Sequence, residues 1–85
     1  MKELNYVIKD ELGIHARPAG NLVKLASSFS SEITITNGDK TADAKKILNV
    51  MKLGASKGSN IKVTFSGTDE AEAFDAIGKF LNENL

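Results

Sequence analysis

The chain has 85 residues, 41% of them hydrophobic and 26% charged, with eleven basic and eleven acidic side chains that cancel at neutral pH. Zero net charge argues against a general attraction to nucleic acid or to an anionic membrane, so an anion must be held by local design. The absence of cysteine removes disulfides, thiolate metal sites and thiol nucleophiles, and a single histidine is a poor basis for a transition-metal centre, so neither metal nor cofactor is expected.

The proportions are those of an ordinary soluble globular protein, expected as a single domain over residues 1–85 with a small core. No apolar run approaches the ~18 to 20 residues that cross a bilayer, and Met1 to Lys9 lacks the order of a signal peptide. A cytoplasmic protein without membrane insertion is expected.

In Glu3 to Lys9, Leu4, Tyr6 and Ile8 alternate with polar neighbours, broken only by Val7, which predicts a half-buried strand. From Ala16 to about Ser27, Ala19, Leu22, Val23 and Ala26 recur at helical spacing, with Asn21 and Lys24 pointing away and Pro18 suited to the first turn. After a serine-rich break, Ile33 and Ile35 mark a second strand, and Asn37-Gly38 signals a hairpin to a short polar strand around Lys40 to Ala42.

The stretch AKKILNVMKLG predicts a helix of about two turns closed by Gly54, with Lys45, Asn49 and Lys52 on its solvated face. Its apolar residues are too many for one buried stripe: with Val50 and Leu53 inward, some of Ile47, Leu48 and Met51 would be left on the surface as a small sticky patch. Residue type alone still favours core over surface for the remaining Ile47, Leu48 and Met51. Ile61, Val63 and Phe65 then alternate in a strand before Gly67. A last helix takes Thr68 or Asp69 as N-cap and Glu70 and Glu72 in its first turn, and buries Ala73, Phe74, Ile77 and Leu81. The order β-α-β-β-α-β-α implies an α+β fold, one mostly antiparallel sheet with helices on one face.

The only His, Arg and Pro of the chain fall together in GIHARPA, Gly13 to Ala19. His15 stands where a loop enters a helix, and the first-turn amides of Ala16 and Arg17 would offer unpaired N–H groups to an anion. The Arg17 guanidinium can grip a phosphate through two parallel hydrogen bonds, and a neutral imidazole is a nucleophile. A phosphohistidine on His15 would have its oxygens neutralised on the spot. Small Ala16, Ala19 and Gly20 would keep the approach open. No second acid or base stands beside His15 and there is no glycine-rich nucleotide loop, so the segment is equipped to accept and give a group rather than to catalyse alone. By residue type a helix-start histidine is as readily a surface or capping residue, and chemistry alone leaves the two readings level.

GIHARPA also resembles the phosphorylation-site motif of HPr, the histidine-containing phosphocarrier of the bacterial phosphoenolpyruvate:sugar phosphotransferase system. The resemblance covers essentially all 85 residues, through the Asn37-Gly38 turn, AKKILNVMKLG and KGSNIKVTFSGTDEAEA. It implies an open-faced β-sandwich of four antiparallel strands and three helices, and a phosphocarrier rather than an enzyme. By the resemblance, phospho-enzyme I passes its phosphoryl group to Nδ1 of His15, Arg17 steadies it, and enzyme IIA domains of sugar permeases receive it. The family docks both partners on its first and second helices, here Gly20, Lys24, Ile47, Leu48 and Met51, which moves the second-helix patch from core to interface. A monomer is expected. A carrier of a nitrogen-regulatory phosphotransfer branch and a non-catalytic protein-binding regulator are the alternatives.

Two positions depart from the family pattern. Lys46 stands where members commonly carry a serine that a dedicated kinase phosphorylates for catabolite control, so that regulatory branch is expected to be absent or altered. Leu12 replaces a polar capping residue of some members, so packing is expected to hold the loop before His15.

Overall fold

Seven elements follow in the predicted order: β1 (Lys2–Val7), α1 (Ala16–Ser27), β2 (Glu32–Asn37), β3 (Lys40–Asp43), α2 (Ile47–Met51), β4 (Asn60–Ser66) and α3 (Glu70–Asn84). They are seen in a computed structural model that describes all 85 residues. The strands form one sheet in the order β1-β4-β2-β3, and every pairing is antiparallel. This is the open-faced α+β sandwich, four strands with three helices.

Register follows from the alternation of apolar residues. Val63 on the central β4 lies opposite Leu4 on one side and Ile35 on the other, and Ile35 in turn faces Ala42 across the hairpin. A slip of one residue would turn each of these side chains to the outer face, so burial of one face fixes the pairing. Tyr6, Ile33, Ile61 and Phe65 join them in one cluster with Ala19, Leu22 and Ala26 of α1 and Ala73, Ile77 and Leu81 of α3.

Several expectations change in detail. β1 begins at Lys2 and ends at Val7, yet Ile8 keeps the inward alternation and stays buried beyond the strand. Val23 and Phe74 are half-buried rather than fully inside, and Phe74 meets Phe65 edge-on at 5.7 Å between ring centroids. α2 is five residues long, shorter than two turns, and so offers one inward stripe, which Val50 and the following Leu53 fill. Ile47, Leu48 and Met51 are left 41%, 68% and 40% exposed, which overturns the core placement favoured by residue type.

Lys45 is not on a solvated helix face. It precedes α2, and its Nζ donates to the Phe29 carbonyl at 2.7 Å, tying the entry of α2 to the end of α1. Asp69 holds the N-cap position of α3 without capping it. Its carboxylate instead accepts the N–H groups of Ser30 (2.8 Å) and Ser31 (2.9 Å) and the Ser31 hydroxyl, clasping the loop before β2.

Candidate functional site

The approach to His15 is built by a tight turn. Asp10 Oδ1 accepts the Leu12 N–H at 2.8 Å and the Asp10 carbonyl accepts the Gly13 N–H at 3.0 Å. Gly13 has φ +66, and a Cβ there would lie 2.3 Å from the Ala55 carbonyl oxygen, so conformation and close approach both require glycine. The next residue, Ile14, is buried and donates its N–H to that same oxygen at 3.0 Å. Leu12 does not pack as expected: it is 73% exposed, and the Asp10 carboxylate holds the loop in its place.

The turn delivers His15 to the N-cap of α1 with extended backbone (φ −112, ψ −177). Its carbonyl accepts the Ala19 N–H at 2.9 Å, while its half-buried ring has no hydrogen-bond partner. The N–H groups of Ala16 and Arg17 find no acceptor in the protein, Pro18 has none to offer, and the first turn carries no acidic side chain. The positive end of a twelve-residue helix therefore points at the histidine with its donors unused.

His15, Arg17 and Pro18 line a shallow depression of about 180 Å³ together with Asp10, Asn21 and Asn84. The last three were not foreseen. Asn21 lies one helical turn beyond Arg17, so spacing alone would have found it. Asp10 and Asn84 arrive from opposite ends of the chain, joined because the Leu85 backbone oxygen accepts the N–H groups of Lys9 at 2.5 Å and Asp10 at 2.9 Å. No three His, Cys, Asp or Glu side chains gather as a metal would need.

Of the small residues expected to keep the site open, Ala16 is exposed but Ala19 is fully buried and serves the core. Gly20 lies where α1 meets α2: a Cβ there would be 3.7 Å from Ile47 Cδ1. Ile47, Leu48 and Met51 continue outward from that contact, and Lys24 is exposed on the last turn of α1. Lys46 is the exposed N-cap of α2 and makes no side-chain cap.

Comparison with known proteins identifies the family. The family signature described as PTS HPr component phosphorylation site matches residues 2–83. The phosphocarrier protein HPr of Lysinibacillus sphaericus is 42% identical over 83 residues, covering 98% of this chain and 94% of that protein. Among solved structures, the histidine-containing phosphocarrier protein of Mycoplasma superposes with a TM-score of 0.94 at 38% identity, covering 96% of this chain and 93% of that one. HPr from Thermoanaerobacter tengcongensis gives a TM-score of 0.93 at 41% identity, covering 98% and 93%.

Proposed function

The chain belongs to the HPr family of phosphocarrier proteins, and we propose that it accepts a phosphoryl group on Nδ1 of His15 from phospho-enzyme I and gives it to enzyme IIA domains in sugar uptake. The observation that carries this reading is one coincidence. The unpartnered imidazole of His15 stands at a helix end whose Ala16 and Arg17 amides lack acceptors, with the Arg17 guanidinium on the same depression.

The Nδ1 electron pair attacks phosphorus, a P–N bond forms, and the donor's bond to phosphorus breaks with its electron pair leaving on the donor. The two amides and Arg17 then neutralise the phosphoryl oxygens. Delivery is the same displacement with an acceptor nucleophile, which breaks the P–N bond and returns the electron pair to Nδ1. Stabilisation has to stay moderate, because a receptor that grips the phosphorylated state too tightly would trap the group. The shallow, open site suits that need.

Both partners dock on Gly20, Lys24, Ile47, Leu48 and Met51, an apolar patch with a basic flank beside His15. Lys46 cannot accept a phosphoryl group as the family's serine does, so the serine-dependent control branch is absent or altered. The carrier works in the cytoplasm as a monomer; no helix is long and apolar enough to cross a membrane.

Incubation with enzyme I and phosphoenolpyruvate is expected to give an acid-labile, base-stable adduct that His15→Ala abolishes. An unlabelled wild-type protein, or a label that survives His15→Ala, sinks the reading. The exposed patch also suits a regulator that binds partners irrespective of His15. Equal partner affinity for wild type and His15→Ala, with no transfer, would favour that role.

A further inference from the structure

We propose that Asp10 is an electrostatic determinant of the carrier's phosphoryl-transfer potential: its fixed negative charge faces the phosphoryl site and raises the free energy of the phosphorylated state. The inference rests on the reading that His15 carries the group.

Three observations combine. Asp10 lines the same depression of about 180 Å³ as His15 and Arg17. A sphere of that volume is about 7 Å across, so a charge on its wall acts on whatever occupies it. The carboxylate is also held in place. The Asp10 N–H donates to the Leu85 backbone oxygen at 2.9 Å, Oδ1 accepts the Leu12 N–H at 2.8 Å, and the carbonyl accepts the Gly13 N–H at 3.0 Å. Finally, its charge is unpaired. The ion pairs of the protein join Met1 to Glu70, Lys57 to Glu11 and Lys62 to Glu3, and none involves Asp10.

Asp10 makes no hydrogen bond to His15, so it does not orient the ring by contact. Its effect on the site is through space. It repels an incoming dianion, offsetting part of what the helix amides and the guanidinium supply. One unit charge against a dianion at ~7 Å in a water-like medium corresponds to about a tenfold change in an equilibrium constant. The held carboxylate thus keeps the grip moderate, and the group remains easy to pass on.

Asp10→Asn keeps an acceptor oxygen for the Leu12 N–H and removes only the charge, whereas Asp10→Ala removes both. The ratio of phosphorylated to free carrier is measured by 31P NMR at equilibrium with catalytic enzyme I, phosphoenolpyruvate and excess pyruvate. Asp10→Asn is expected to raise that ratio about tenfold at low salt, with the gap to wild type closing near 1 M salt, where the Debye length falls to about 3 Å. Asp10→Ala should shift it in the same direction. An unchanged Asp10→Asn ratio with labelled wild type overturns this inference alone, as does an effect seen only in Asp10→Ala, which would mark a structural turn residue. Wild type that takes no label on His15 overturns the proposed function and this inference with it.

Discussion

Asp69 binds two loops that are far apart in sequence, and it does so as an anion. Its pKa is lowered to about 2, first by the hydrogen bond from the Ser31 hydroxyl and then by the backbone N–H groups of Ser30 and Ser31. A carboxyl group whose folded pKa is depressed stabilises the fold fully above its unfolded value of 3.8, and that contribution is lost as pH falls toward about 2. Urea midpoints measured from pH 5 down to pH 2 should therefore fall in wild type, with a shallower slope in Asp69→Asn; identical slopes would contradict the clasp. Gly67 closes the same contact, since with φ +157 a Cβ there would lie 2.6 Å from Ser31 Oγ. Residue type placed Asp69 at a helix start, and it does stand there. Sequence could not show that the loop before β2 passes within reach, because that proximity comes from β2 pairing with β4. Glu70 takes up part of the terminal role instead, accepting the Gly67 N–H at 3.2 Å.

Among the elements, α2 departs furthest from its predicted form. Five residues are too few to stand as an isolated helix, so it depends on Val50, Leu53 and the Lys45 tether to Phe29. Its N-cap is Lys46, which supplies no acceptor to the first-turn amides and puts a positive charge at a positive helix end. Lys46→Ser is expected to stabilise the fold by about 1 kcal/mol in chemical denaturation; a loss of stability would contradict this view of the cap. Leu48 is the most exposed apolar side chain of the helix. Leu48→Asp should change stability by no more than about 0.5 kcal/mol while slowing phosphoryl transfer from enzyme I, and unaltered transfer kinetics would remove α2 from the docking surface. Periodicity located this helix and showed more apolar residues than one stripe can bury, but not which of them would be exposed. The number of inward positions depends on how many turns form and on what α1 already fills, and neither is written in the local pattern.

For the molecule as a whole, the sheet order β1-β4-β2-β3 buries an alternation that is plain in the sequence, which is why the strands, helices and antiparallel arrangement were legible from it. The site was legible where it is local: His15, Ala16 and Arg17 share one loop-to-helix junction. It was not legible where folding joins distant segments, and Asp10 and Asn84 reach the depression only because α3 returns its end to the loop after β1. Phosphorylation on His15, received by the end of α1, can be read by nitrogen-15 NMR of the protein before and after phosphorylation by enzyme I and phosphoenolpyruvate. One-bond phosphorus coupling on Nδ1 of His15 and large downfield shifts of the Ala16 and Arg17 amide protons are expected. Coupling at Nε2, or a phosphorylated protein whose Ala16 and Arg17 amides do not move, would contradict it.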